Sequence, residues 1–380
     1  MSILPISGEA IGANTGFFSL CEALRALDAS YRFWTARRDG AVTVTLHANR
    51  ERCLVLLAKG PFDYCASVAR AAIQSQWEEH MAVLGEIRHT TTYRYAKPVT
   101  FGTHRAMFLP RRGASARLLN WSARTAPPSS VRWISDPRSN TVAVMEFSEP
   151  ASELTFNFKV LGIYFGVKGV EAFPLESRAE EVPVQYTPDE WNDLAGYLRP
   201  HTEDPSSLAT WTKSFVAGDQ DQTIDVLRRI LHTFRDSFIY HARETQGTQS
   251  PVETLRTKSG TCRDYAWLMI EILRRLGFAS RFVSGYLYDG ALDGGAVGMA
   301  GSSATHAWLQ VFLPGAGWMD YDPTNQINAG FDLIPVAVAR HPGQALPLEG
   351  SWFGEAKDYM GMSVDVAVHK VDEVPDRSEG

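Results

Sequence analysis

Apolar positions along the chain fall into three regimes. From residue 17, Phe17, Leu20, Leu24 and Leu27 of FFSLCEALRALDA lie at helical spacing. AVTVTLH and CLVLLA are β-branched or continuous apolar runs split by the polar turn ANRER, the signature of two strands. FDYCASVARAAIQSQW reads as a second helix, so residues 1–85 are expected to form a small α/β unit. The pattern changes at residue 86. EIRHTTTYRYAKPVTF, RLLNWSART, SVRWIS, TVAVMEFS and ELTFNFKVLGIYF are short strands separated by turn signals such as DPRSN and SEPAS. That spacing predicts an antiparallel β-sandwich over 86–170. From residue 171 to about 222 the chain is rich in Pro, Asp and Glu and reads as a connector with one or two short helices. A longer helix follows in QTIDVLRRILHTFRDSF, with Ile224, Leu227, Ile230, Leu231 and Phe234 on one face.

The third regime holds the candidate chemistry. In SGTCRDYAWLMIEILRRLG, Ala266, Met269, Ile270 and Leu273 form an apolar stripe, and Gly277 fits the stop. Thr261 fits the N-cap and Asp264 its capping-box partner, which makes Cys262 the first helical residue. There the unsatisfied backbone N–H groups and the positive end of the helix dipole favour a thiolate. The Cys262 N–H is also free to donate to an oxyanion forming beside the sulfur. Cys21 and Cys65 lie instead inside apolar helices, and with Cys53 they read as structural thiols.

A thiolate needs a proton acceptor. THAWLQVFLPGAGWMDYDPTN reads as a β-hairpin with His306, Trp308 and Gln310 on one face of the first strand, and Asp320 and Asp322 sharing a face of the second. The expected register sets His306 against Asp322, Trp308 against Asp320 and Gln310 against Trp318, with residues 313–315 as the loop and Gly315 at positive φ, or a longer loop with a bulge. A carboxylate opposite the imidazole fixes its tautomer and stabilises the imidazolium, completing a nucleophile–base–orienter arrangement.

Composition narrows the setting. The 380 residues are 44% hydrophobic and 21% charged, as expected of a globular protein of two or three domains. No apolar run of transmembrane length and no secretory leader is present, so a cytoplasmic protein without a membrane partner is expected. Four cysteines make no disulfide framework, and no Cys/His spacing suits zinc; neither metal nor cofactor is expected. The net charge of −6 is uneven: residues 86–170 carry 12 basic against 5 acidic residues, whereas 171–257 carry 8 against 15. The basic residues are scattered singly among strands, so complementarity within the chain is expected rather than a nucleic-acid partner.

SGTCRDYAWLMIEILRRLGFASRFVSGYLY followed by THAWLQVFLPGAGWMDYDPTN resembles the bacterial transglutaminase-like superfamily of cysteine enzymes. The resemblance extends upstream through SPVETLRTKSG, IRHTTTYRYAKPV and LPRR, and downstream through LIPVAVARHPGQALPLEGSWFG. It implies an α+β fold: a papain-like core at 171–380, its Cys helix packed on an antiparallel sheet or barrel, behind the β-domain at 86–170. It implies Cys262 as nucleophile, His306 as general base and acid, and Asp322 as orienter. Two departures stand out: Asp320 occupies a position where the family more often has a small residue, so either acid could orient His306, and ARHPG replaces a GRDY-like segment. The expected activity is acyl transfer from a peptide, protein or small amide through a thioester. Hydrolysis (peptidase or amidase) leads, with transamidation or amide formation as the alternative. A non-catalytic interaction scaffold is the rival of another class. Nothing in the sequence fixes an oligomeric state.

Overall fold

The computed structural model describes residues 32–38, 41–48, 51–58, 81–113, 116–166, 174–203, 206–216, 218, 221–241, 247–289, 304–328 and 332–371. The chain divides into two compact units, 1–80 and 81–380. In the first, β1 (Arg32–Arg38), β2 (Ala41–Ala48) and β3 (Glu51–Ala58) form an antiparallel sheet with β2 at its centre. β2 and β3 are the two strands the sequence predicts, and β1 is an addition to them. The helices expected at 17–29 and 62–77 lie outside the described residues.

The second unit opens with β4 (Met81–Phe101), β5 (His104–Ala106), β6 (Ala116–Ala126), β7 (Ser129–Ser135), β8 (Thr141–Phe147) and β9 (Ala151–Gly166). They build two antiparallel sheets, one around β4, β9 and β6, the other around β5, β8 and β7. Leu154, Phe156, Phe158 and Val160 alternate inward along β9 and are buried, the period-2 pattern of a strand with one covered face. With Phe101, Phe108, Ala143 and Met145, the first three of them form the sandwich core.

The helices follow: α1 (Pro188–Leu198), α2 (Ser206–Lys213) and α3 (Thr223–Ser237). After β10 (Ile239–Tyr240) come α4 (Pro251–Thr257), β11 (Ser259–Gly260) and α5 (Cys262–Arg275). A five-stranded antiparallel sheet is then made from β12 (Ser280–Leu287), β13 (His306–Leu313), β14 (Gly317–Asp322), β15 (Ile327–Asn328) and β16 (Leu333–Ala339), in the order β15-β14-β13-β12-β16. α5 packs on this sheet, sharing a core with Phe282, Ala307, Leu309 and Val311. This is the papain-like α+β core expected from the sequence.

Two features depart from expectation. α5 is buried nearly all round rather than along one stripe: Asp264, Trp267, Leu268, Glu271, Ile272 and Arg274 are covered as well, because α1, α2 and α4 also pack on it. The Glu271 carboxylate survives burial because it accepts from the His201 and Thr202 N–H groups, each at 2.9 Å, and from Arg275 at 2.8 Å. The second departure concerns the stretch 171–380, assigned as a whole to the core. Its last strands, β17 (Leu348–Glu349), β18 (Trp352–Phe353) and β19 (Tyr359–Lys370), instead return to the sandwich, where β17 pairs with β5 and the other two with β4. β4 has β9 on one side only, and β19 satisfies the N–H and C=O groups of its other edge. Sandwich and core also share a hydrophobic cluster, in which Ile87, Val160, Tyr164 and Val366 meet Tyr286, Ile334 and Val336.

Candidate active site

The position of Cys262 is set by the way α5 begins. β10 and β11 pair in parallel, and two residues after β11 the helix starts at Cys262. The buried Asp264 carboxylate holds that start. Its Oδ2 accepts from the Thr261 N–H at 2.8 Å and the Thr261 hydroxyl at 3.0 Å, and its Oδ1 accepts from the Gln249 N–H at 2.6 Å. Gly260 permits this approach, since a Cβ there would lie 2.8 Å from the Asp264 Cβ. Cys262 is buried to 7% exposure and lines a pocket of about 150 Å³ with Gly247, Thr261, Arg263, Thr305, His306 and Ala307. Its N–H, at the first position of the helix, has no intrahelical acceptor.

His306 enters the same pocket from the first residue of β13. Its Nε2 is 2.7 Å from Asp322 Oδ2, and both side chains are fully buried. Asp322 is itself oriented: Oδ1 accepts from the Thr324 N–H at 2.8 Å, and Oδ2 from Asn325 Nδ2 at 2.9 Å. Burial alone would depress the imidazole. The charge of Asp322, its hydrogen bond and a hydrogen-bonding interaction with Cys262 outweigh that and push His306 up to about 10. Conversely, burial would raise Asp322, but the charge and hydrogen bonds of His306, Asn325 and Thr324 hold it below its usual value. His306 Nδ1 is buried without a hydrogen-bond partner of ordinary geometry. It is the ring nitrogen left to face the thiol. The arrangement can therefore hold a proton between sulfur and imidazole while the carboxylate stabilises the cation.

The hairpin register differs by two residues from the expected one. Gln310 pairs with Asp320, Phe312 with Trp318 and Leu313 with Gly317, so the loop is 314–316. Gly315 (φ +94°) and Gly317 (φ +80°) take left-handed conformations, and a Cβ on Gly315 would lie 2.6 Å from the Pro174 carbonyl oxygen. The turn is thus centred where only glycine fits against the connector. A slip of two keeps the same residues on the same face, and the contacts are made diagonally. His306 meets Asp322 and Trp308 Nε1 donates to Asp320 Oδ1 at 2.6 Å. Asp322, not Asp320, is therefore bonded to the imidazole. Asp320 is pushed up to about 6 by burial, against the hydrogen bonds of Trp308 and Gln310 and the charge of Arg281. It anchors Trp308, whose indole stacks on His306 with ring centroids 6.0 Å apart.

Other residues of the two motifs are held by packing and by hydrogen bonds to backbone carbonyls. Trp308 is fully buried, and Trp318 lies under the Arg281 guanidinium. Tyr286 is buried with its hydroxyl on the Phe108 carbonyl. Arg263 donates to the Pro342 carbonyl at 2.8 Å. Tyr240, missed in the sequence, sits beside the site: burial, then the nearby charges of Cys262, Asp322 and Asp264, push its phenol up to about 12, so it remains an O–H donor at neutral pH. It ends β10, a two-residue strand too short to give a periodicity signal. Among the described residues no cluster of His, Cys, Asp or Glu could hold a metal ion, and no helix is long and apolar enough to cross a membrane.

The family described as Transglutaminase-like superfamily matches residues 209–323, and the Bacterial transglutaminase-like N-terminal region matches 86–161. An uncharacterised protein of Mycobacterium leprae is 25% identical over 288 residues, spanning 73% of this chain and 96% of that protein. A protein-glutamine gamma-glutamyltransferase of Pseudomonas aeruginosa is 36% identical over 106 residues, 26% of this chain and 14% of that protein. The crystal structure of a candidate cysteine protease from Cytophaga hutchinsonii shares the fold with a TM-score of 0.58 at 20% identity, covering 78% of this chain and 95% of that one.

Proposed function

We propose that this chain, which carries a transglutaminase-like core behind a bacterial transglutaminase-like N-terminal region, is a cysteine enzyme that breaks an amide through a thioester. Cys262 attacks the carbonyl carbon as thiolate. The oxyanion that forms is met by the Cys262 N–H. His306, held as imidazolium by Asp322, gives its proton to the departing amine, and the acyl group stays on sulfur. A water deprotonated by neutral His306 then attacks the thioester, releasing a carboxylic acid and restoring the thiol. The observation that carries this reading is one small pocket lined by both Cys262 and His306, with Asp322 on Nε2 and Nδ1 left without a hydrogen-bond partner of ordinary geometry. An amine seated in place of water would give transamidation with the same groups, and the name of the Pseudomonas relative keeps that acceptor in view.

The test is trapping. The protein is incubated with a library of peptides and small amides, quenched in acid and analysed by mass spectrometry, with and without an added primary amine. The expected result is an acyl adduct on Cys262 that disappears in Cys262→Ser. Its decay to free acid identifies water as acceptor; decay to a new amide identifies an amine. Turnover undiminished in Cys262→Ser would remove Cys262 as the nucleophile, and a library that leaves no adduct and no product would overturn the assignment in favour of a non-catalytic scaffold.

A further inference from the structure

A second cleft, of about 320 Å³, opens between the C-terminal end of α1 and the segment that follows β16. Five basic side chains line it, Arg199, His201, Arg274, Arg340 and His341, and none of its lining residues is acidic. It shares no lining residue with the Cys262 pocket.

The arrangement is built rather than incidental. A Cβ at position 196 would lie 2.8 Å from Arg340 Cδ, so the glycine in α1 lets the Arg340 stem lie flat against the helix. The Arg340 backbone is held in turn, its carbonyl accepting from Arg274 Nη2 at 2.8 Å. The rings of His201 and His341 lie tilted at 47° to each other with centroids 4.6 Å apart. His341 Nδ1 accepts from the Gly343 N–H at 3.1 Å, which leaves Nε2 as the donor in the neutral ring.

Among the described residues these charges are neutralised only in part, through the ion pair of Arg274 with Glu271. Glu271, the acid nearest Arg274 at 3.6 Å, is committed to Arg275 and to two backbone N–H groups. Neither Arg199 nor Arg340 has a side-chain hydrogen bond or ion pair among the described residues. The C-terminal end of α1 contributes roughly half a negative charge, well short of two guanidinium groups. Arginine presents a planar fork of donors matched to a carboxylate or phosphate. The volume falls at the lower end of the range for small-molecule sites, larger than a bare anion needs.

We propose that this cleft binds the oxyanion, carboxylate or phosphate, of a small-molecule ligand, at a site separate from the thiol chemistry. Arg340 and Arg199 grip the anion, and the His341 Nε2–H adds a donor. The site is not isolated from Cys262: Arg263, which lines the thiol pocket, donates to the carbonyl of Pro342 in the same segment.

Titration calorimetry of the full chain at constant ionic strength tests this with two probes, inorganic phosphate and succinate. Saturable binding of at least one is expected. Phosphate alone indicates a phosphorylated ligand, and succinate alone a carboxylate. Arg340→Met, which keeps an unbranched stem against Gly196, should weaken that binding about tenfold or more, whereas Cys262→Ser should leave it unchanged. Should Arg340→Met fail to fold, histidine-labelled wild type serves instead: the bound anion should shift the His201 and His341 imidazole resonances and spare His306. No saturable binding of either anion, binding that Arg340→Met retains in full, or resonance shifts confined to other histidines would overturn the site.

Discussion

At the scale of the residue, the site depends on which carboxylate reaches the imidazole. Asp320 and Asp322 are equivalent in sequence, two apart on one strand face. The structure separates them, since Asp320 is spent on the Trp308 indole and Asp322 on His306 Nε2. A consequence in pH follows. His306 is raised to about 10 chiefly by Asp322, so the imidazolium persists through neutral pH and is lost only on the alkaline side. Asp322→Asn removes the charge and leaves burial, which acts in the opposite direction. The alkaline limb of kcat/KM should move down from near 10 to neutral pH or below, and kcat should fall about 100-fold or more. A pH–rate profile on the substrate found by trapping checks this; a limb that stays in place would remove Asp322 from its role. Cys262, His306 and Asp322 could be singled out from cap chemistry, alternation and resemblance. Tyr240 and Asn325 could not, because their relevance lies in proximity across elements rather than in any local pattern.

At the scale of the element, the sheet is placed by glycines as much as by apolar residues. Gly285 sits at an irregularity in the pairing of β12 with β16. A Cβ there would lie 2.2 Å from the Ile334 carbonyl oxygen and 2.6 Å from Trp308 Cη2. The first neighbour is backbone and cannot swing away. Gly285→Ala should therefore cost about 3 kcal/mol and push the Trp308 indole off His306. Urea unfolding reads the first effect and the rate of Cys262 alkylation the second; a variant as stable as wild type would show that β16 yields. The predicted strands and helices were legible because alternation and helical spacing are local. The hairpin register was not: it depends on the fit of Gly315 against Pro174, far away in sequence, and a slip of two leaves the face pattern unchanged.

At the scale of the whole molecule, sandwich and core act as one unit, and a histidine lies at their junction. His89 on β4 bonds through Nδ1 to the Tyr286 hydroxyl on β12 and through Nε2 to Thr91, each at 3.0 Å. The Tyr286 hydroxyl donates to Phe108 O at 3.2 Å, so Nδ1 carries the proton and Nε2 accepts. Burial pushes His89 down to about 4, against about 6.5 in the unfolded chain. Between these values the unfolded state binds the extra proton, so its contribution to stability falls as pH drops from 6.5 and reaches a loss of about 3 kcal/mol near pH 4. Unfolding free energies of wild type and His89→Gln should converge across that window as pH is lowered. Parallel curves would mean that His89 does not titrate on unfolding.

Local information settled what kind of protein this is. The capped helix beginning at Cys262, the alternation that puts His306 on one face with both acids, and the run of short strands from residue 86 are each written within a few consecutive residues. Burial of a helix face, capping and strand alternation are short-range effects, so the three candidate residues could be singled out in advance, while the α+β class came with the family resemblance. Only the tertiary structure decided the register of the hairpin, that the last strands return to cover the β4 edge, and that Arg199, Arg274 and Arg340 line one cleft. Those outcomes depend on satisfying buried polar groups and open strand edges with partners far away in the chain, and no stretch of sequence carries that accounting by itself.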